Sequence, residues 1–415
     1  MTLEFDKVMP QVERMGRALA ARNITMSERA SEAWDLLQSL DDLDAVRARI
    51  QLARDRDAGF RGAGPLKGTP GEALNRAYPL PPVPDFATIL AADGSQVYPS
   101  THAAALYYLL NVGVFVYHHG RDHLPEQITE PRLFYTEDTV RDPQGHAITN
   151  VAVNARRSVM ELQVLAREAW HRRESDVPLL ALSDGPLLFW VGNDVPDSKV
   201  LEQDYMGALV HLHDTQAAMQ HERAQSASLI GYVDRPTSAF VISLLHLMSL
   251  DDAEVRKSML ETNGDLEGLI DQHVLLRLLQ PGERSALMVQ QSPQNKRYHD
   301  KGESLEIAFF YVNVGIAHDD HLARVEMPMW VARDPDAVDR VHALVYDQCQ
   351  MMWRYPYALT RADELAVVRA HEKSQLNELI EIELRRNAQA VEHSEKLEAK
   401  ASRHGRTRYG QRRRS

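Results

Sequence analysis

The sequence predicts an α/β domain around a mixed sheet, with a helical segment in front of it and a long charged helix behind. Three observations carry that prediction. Two short apolar runs each close on Asp-Gly, namely Phe86-Ala-Thr-Ile-Leu-Ala-Ala-Asp93-Gly94 and Pro178-Leu-Leu-Ala-Leu-Ser-Asp184-Gly185. Both have the length and composition of buried strands that deliver a carboxylate to their tips, where glycine lets the chain turn. Between them Val159, Leu162, Leu165, Ala166 and Ala169 form a helical apolar stripe. Strand-like and helical segments keep alternating downstream, the order expected of an α/β fold.

Taken in order, residues 4–57 carry helical spacing (Phe5, Val8, Met9, Val12, Met15, Leu19, then Trp34, Leu36, Leu37, Leu40) and a single proline, Pro10. They predict a helical appendage over 1–58. Glycine and proline enrich 59–84, which closes on Pro79-Leu-Pro-Pro-Val-Pro84 and reads as a linker. The main domain is expected over 85–370. Its first strand ends at Asp93, and Ala103–His118 is β-like, with Gly113 marking a hairpin or bulge. A helix over Ala155–Arg173 leaves Arg157, Glu161 and Glu168 off the apolar stripe. The second strand runs to Asp184, and helix is expected over Leu201–Ser226. The strand Ser228–Asp234 follows, and Arg235-Pro236 is the expected start of another helix, since proline suits a first turn. Ser304–Gly315 and Leu322–Ala332 are the next strands. Asp319-Asp320, set between His318 and His321, reads as a hairpin tip rather than a metal cluster. Met351–Ala362 is a loop centred on Tyr355-Pro356, and a charged helix runs from Ala362 to about Lys400. Beyond the main domain, 371–402 belongs to that helix and 403–415 is a basic tail.

Composition narrows the class. Cys349 is the single cysteine, which rules out an intramolecular disulfide and a cysteine zinc site and fits a reducing cytosol. The N-terminus lacks the layout of a signal peptide, so a cytoplasmic location is expected. The most apolar stretch, Ala103–Tyr117, is too short to cross a membrane as a helix. The net charge of −12 argues against a general DNA-coating protein. From Ala401 on, however, there are no acids, while Arg403, Arg406, Arg408, Arg412, Arg413 and Arg414 are basic. Such a tail is either a solvated terminus or a flexible arm that holds phosphate backbones without reading bases.

Carboxylates brought together from separate elements can hold divalent metals, activate water and stabilise a leaving oxygen, the chemistry of phosphodiester hydrolysis. Asp93 and Asp184 stand at strand ends, Glu161 on the intervening helix, and Asp363 at the start of the last helix. All-oxygen donors suit Mg²⁺ or Mn²⁺. Each Asp-Gly alone reads equally as a plain turn, and Asp363 as a helix cap. His102, His118 and His119 are expected to be ordinary histidines. Arg235 and Arg324 are either phosphate contacts or structural ion-pair partners. Phe309, Phe310 and Tyr311 are core.

An ordered set of motifs sharpens this reading. Ala92-Asp93-Gly94-Ser95, Tyr107-Tyr-Leu-Leu-Asn-Val-Gly113 and Arg157-x-x-x-Glu161 come first, then Leu182-Ser-Asp184-Gly-Pro-Leu187 and Gly231-Tyr-Val-Asp234-Arg-Pro236. Phe309-Phe-Tyr311-Val-Asn-Val-Gly315, Ala323-Arg324-Val-Glu326-x-Pro328-x-Trp330 and Tyr355-Pro356-x-x-Leu359-x-x-Ala362-Asp363 complete it. Over roughly 85–370 the chain resembles the NurA family of DNA-repair nucleases. The resemblance implies an RNase H-like fold and a Mn²⁺- or Mg²⁺-dependent nuclease with two ions per site. It implies single-strand endonuclease and 5′–3′ exonuclease activity on single strands and duplex ends. It further implies a homodimer that works with a HerA-type hexameric ATPase in resecting double-strand breaks. Carried over, Asp93, Glu161 and Asp184 are the catalytic metal ligands, with Glu168 the competing helical choice and Asp363 completing the set. Ser95, Tyr232, Arg235 and Arg324 are the substrate-side residues. One departure stands out: Asp363 occupies a position where the family pattern often has histidine. Two other readings are a sugar-kinase-like ATPase, for which the glycine-rich phosphate loop is lacking, and a non-catalytic DNA-clamp or assembly subunit.

Overall fold

The computed structural model describes residues 4–67, 71–100, 103–192, 195–316 and 319–387, apart from the side chains of 18–24. The chain opens with helices α1 (Phe5–Gln38) and α2 (Leu43–Asp55), then strand β1 (Ala63–Pro65). Next come β2 (Ala87–Val97), β3 (Tyr108–His119), β4 (Glu126–Phe134), the short α3 (Glu137–Val140) and α4 (Asn150–His171). They lead to β5 (Leu179–Asp184), α5 (Ser198–Arg223), β6 (Ala227–Asp234), α6 (Phe240–Ser249) and α7 (Gln272–Leu278). After these follow β7 (Met288–Gln290), α8 (Pro293–Lys301), β8 (Ile307–Asn313), β9 (Leu322–Pro328) and α9 (Met329–Ala332). The last are α10 (Pro335–Met351), α11 (Tyr357–Ala366) and α12 (Ala370–Arg386). Among the described residues this makes a mixed α/β fold of nine strands with flanking helices, as the sequence predicts.

The chain divides into two compact units. The first comprises Met1–Ala87, Ser175–Leu188 and Gln216–Tyr357. Its strands lie in the order β1-β7-β8-β9-β6-β5. Only β5 and β6 run parallel, with Asp184 opposite Tyr232; the other pairs are antiparallel. Its core joins distant parts of the chain: Ala33, Leu37, Val46 and Ile50 share one apolar cluster with Leu244, Leu247, Val274, Leu275 and Phe309. The first two helices are thus built into this unit. The Pro/Gly-rich stretch is built in too: β1 pairs with β7, and Glu72 accepts from Arg284 (2.7 and 2.8 Å) and from the Leu287 N–H (2.7 Å). Within it, a Cβ on Gly64 would stand 2.8 Å from Ile50 Cδ1, so this glycine lets β1 lie close against α2.

The second unit comprises Thr88–Glu174, Phe189–Thr215 and Ala358–Ser415. It carries the strand order β2-β3-β4 with α4 packed on β3 through the predicted apolar stripe. Gly113 is no hairpin or bulge, because β3 runs straight through it and pairs it with Thr129. A Cβ there would stand 2.5 Å from the Ala362 carbonyl oxygen and 2.7 Å from the Ala366 nitrogen. The glycine lets the backbone of α11 lie directly on the strand.

Three further boundaries differ from the sequence reading. Residues 235–239 are not helical; α6 starts at Phe240, because the Asp271 carboxylate accepts from the N–H groups of Phe240, Val241 and Ile242 (2.9–3.0 Å). That cap comes from 30 residues downstream, where no local pattern points to it. The strand through 322–332 stops at Pro328, which has no N–H to donate, and Met329–Ala332 turns into helix. The last helix is two and starts earlier than expected: α11 runs from Tyr357 to Ala366, so Asp363 lies inside it and is neither its first residue nor its cap, and α12 restarts with the Arg369 N–H donating to Glu372 (2.7 Å). His102, His318 and the basic tail lie outside the described residues.

Candidate active site

The two Asp-Gly motifs do different work. At β5 the expected turn is present: Asp184 is the last strand residue and Gly185 takes φ +83°, a left-handed conformation that suits glycine. Its N–H donates to the Tyr232 carbonyl at 2.8 Å, and Gly231 gives it room, since a Cβ there would lie 2.5 Å from the Gly185 oxygen. At β2 there is no turn. The strand continues to Val97, so Asp93 sits within it and not at its tip. Gly94 is needed instead for contact with α4: a Cβ would stand 2.4 Å from Glu161 Oε1 and 3.1 Å from Arg157 Cγ.

That close approach sets Glu161 beside the residue following Asp93. Arg157, one turn earlier on α4, joins the two elements: it donates to the Gly94 carbonyl at 2.7 Å and lies 3.3 Å from Glu161 Oε1. On the other side of Asp93's neighbourhood, the Ser95 hydroxyl donates to the Ala366 carbonyl, which also accepts from Asn111 at 2.8 Å. Asp93 is therefore followed by the two residues that dock α4 and α11, the helices carrying Glu161 and Asp363. Asp363 is exposed on α11. Ser95 anchors a helix and is not a free substrate hydroxyl.

Glu168, the alternative helical acid, is enclosed elsewhere. Its side chain is buried among Arg172 (2.9 Å), Arg167 (3.3 Å) and His171 (3.7 Å), in a network that continues to Glu126 and Glu130. His118 belongs to the same structural set, 3.3 Å from Glu126.

In the first unit, Asp184 is held by a residue whose role the sequence reading missed. The Tyr355 hydroxyl donates to Asp184 Oδ1 at 2.7 Å. Tyr355 rests edge-on against Tyr232, with centroids 5.3 Å apart and planes at 89°. Tyr232 itself is fully buried and cannot line a substrate path. Its hydroxyl donates to the Arg354 carbonyl at 2.9 Å and accepts from the Cys349 thiol at 3.6 Å. Burial pushes the Tyr232 hydroxyl well above its usual range and the Cys349 thiol up to about 12, so both act as neutral donors.

The two arginines part company. Arg324 is 7% exposed and is committed to Glu326 Oε1 (2.8 and 3.0 Å) and to Ser238 (2.8 Å), so the structural alternative holds and the phosphate contact falls away. Glu326 in turn accepts the Leu187 N–H at 2.8 Å, so this buried pair braces the loop after Asp184. Arg235 is the opposite case, with its side chain 74% exposed and its neighbour Asp234 no closer than 3.9 Å. His321 pairs with that Asp234 at 2.5 Å, and Asp320 accepts from Asn313 at 2.8 Å, so the aspartates and histidine near 320 support the hairpin as expected.

The donor chemistry suits a hard divalent cation, since Asp93, Glu161, Asp184 and Asp363 offer only carboxylate oxygen, and the absent side chain at Gly94 makes room for Glu161. Among the described residues, no three His, Cys, Asp or Glu side chains are gathered closely enough to hold a metal ion. No described helix is long and apolar enough to cross a membrane.

The family model of the NurA domain matches residues 87–368. The chain belongs to the NurA domain family. No curated protein matches this NurA-domain chain. Among solved structures it is similar to the crystal structure of the NurA nuclease from Sulfolobus solfataricus, at 12% identity and TM-score 0.49, covering 92% of this chain and 98% of that one. It is also similar to Drosophila Piwi, at 9% identity and TM-score 0.29, over 67% of this chain and 29% of that one. A third similarity is to LC9-RNase H1, a type 1 RNase H with the type 2 active-site motif, at 12% identity and TM-score 0.19, over 41% and 71%.

Proposed function

We propose that this NurA-domain chain is a metal-dependent DNA nuclease that hydrolyses phosphodiesters with Asp93, Glu161 and Asp184 as ligands and Asp363 as the further carboxylate. Family membership supports the nuclease; the observation that carries the site is the close fit of Glu161 against Gly94, directly after Asp93. Bound there, Mn²⁺ or Mg²⁺, two per site in this reading, supplies water activation and neutralises charge on the leaving oxygen. The protein's own part is orientation. Arg157 fixes the Glu161 carboxylate against β2, and Tyr355 fixes the rotation of Asp184. Asp184 enters the set by resemblance to the family motif.

The same reading includes action on single strands and duplex ends (single-strand endonuclease, 5′–3′ exonuclease), a homodimer, a cytoplasmic location, and work with a HerA-type ATPase in end resection. A second reading, a non-catalytic DNA-clamp or assembly subunit, is favoured by the lack of three gathered ligands among the described residues. One assay separates them. Wild type, Asp93→Asn and Asp184→Asn are incubated with end-labelled single- and double-stranded DNA in Mn²⁺ or Mg²⁺, with and without the ATPase. Calorimetric metal titration runs alongside. The nuclease reading expects cleavage by wild type and a loss on the order of 10²–10³-fold in each variant, together with weaker metal binding. Binding without cutting in both metals would leave the clamp reading.

A further inference from the structure

The segment after α10 holds two consecutive non-glycine residues in the left-handed region, Trp353 at φ +57° and Arg354 at φ +82°. Such residues are uncommon singly, and bulky side chains there are strained. The strain is held by fixed partners. The Arg354 N–H donates to the Cys349 carbonyl at 2.8 Å, its own carbonyl takes the Tyr232 hydroxyl, and its guanidinium pairs with Asp319. One residue later Tyr355 reaches Asp184. These tethers bury Tyr232 and leave the Trp353 indole 81% exposed. A ring of that size serving packing would be covered. Arg235, the residue directly after β6, is also left-handed, at φ +42°, and its side chain is 74% exposed.

We propose that Trp353 is a stacking platform for an unpaired nucleobase, with Arg235 holding a phosphate of the same strand, so that single-stranded nucleic acid is seated at the tips of β5 and β6. The chemistry fits a single strand. An exposed indole face accepts any base whose own face is free, which a duplex does not offer, and an arginine grips the backbone whatever the sequence. This rests on the nucleic-acid reading given above, yet binding can be tested apart from cleavage.

The test uses the full chain with EDTA, so that cutting plays no part. Fluorescence anisotropy is read at fixed salt for a labelled ten-residue oligothymidylate and for an abasic strand of equal length. Wild type is expected to bind the oligothymidylate more tightly than the abasic strand. Trp353→Ala weakens the oligothymidylate roughly 5- to 100-fold and leaves the abasic strand unchanged, whereas Trp353→Phe retains most of the preference. Arg235→Ala weakens both strands alike and lowers the salt slope by about 1. Equal loss for both strands in Trp353→Ala, or no loss, overturns the platform. So does a change of sedimentation in that variant without a change in affinity, which would assign the ring to a protein–protein surface. A wild type that shows this base-dependent binding but never cuts in Mn²⁺ or Mg²⁺ sinks the nuclease reading and keeps the platform.

Discussion

Gly94→Ala is the sharpest probe of the site, because it adds one methyl group and replaces no proposed ligand, yet presses on one of them. The added Cβ would stand 2.4 Å from Glu161 Oε1 and 3.0 Å from Glu161 Cγ. Ordinary contact begins near 3.4 Å, so the carboxylate must retreat by about 1 Å. It can do so, because the clash is with the far end of a flexible side chain, and an off-rotamer shift costs about 0.5–1.5 kcal/mol. Stability should therefore fall only slightly. Catalysis should fall much further, since a displacement of about 1 Å in a positioned group lowers rates on the order of 10²-fold. The experiment pairs thermal unfolding with cleavage of a labelled single strand in Mn²⁺. A folded Gly94→Ala protein that cuts at the wild-type rate would refute the placement of Glu161 in the reacting site.

Three more outcomes are expected. Gly113→Ala meets backbone rather than a side-chain end, 2.5 Å from the Ala362 oxygen, so denaturant unfolding should show a loss of about 1–3 kcal/mol; a neutral result would mean α11 does not press on β3. Glu326→Ala leaves Arg324 buried without its charge partner and frees the Leu187 N–H, and should cost about 3–5 kcal/mol, checked by the same titration. Asp271 is fully buried, and desolvation outweighs its hydrogen bonds from Tyr311 and the start of α6, pushing it from 3.8 up to about 6. The folded state thus binds the proton more tightly, so its contribution is full below pH 3.8 and is lost as pH rises through 6. Measured from pH 4 to 7, the stability difference should move toward Asp271→Asn by up to about 3 kcal/mol; a difference that stays constant with pH would count against it.

How legible the molecule was in its sequence depends on how local the cause is. The strands β2, β5, β6, β8 and β9 and the helix α4 follow from apolar runs and periodicity that each segment carries itself. The positions that misled are those set by remote partners. Gly94 and Gly113 look like turn glycines, and both are close-approach glycines inside strands. The start of α6 is fixed by Asp271, and the pairing of Arg324 by a fold that buries it against Glu326. At the site, Glu161 and Glu168 carry equivalent local signals, each with an arginine one turn away (Arg157 and Arg172), so only the close packing of Gly94 against Glu161 tells them apart. The hold of Tyr355 on Asp184 spans 171 residues and left no local clue.

The apolar cluster shared by the first two helices and α6–α7 also bears on how this chain is made. A ribosome releases Ala33, Leu37, Val46 and Ile50 long before Leu244, Leu247 and Val274 exist to cover them. At usual synthesis speeds the wait is roughly 10–40 s. During that time two amphipathic helices stand with their apolar faces open, and they are too short of partners to fold alone. The family match starts at residue 87, but the apolar core of the first compact unit draws on residues before it. A chain trimmed to the matched region would lose one wall of its own core.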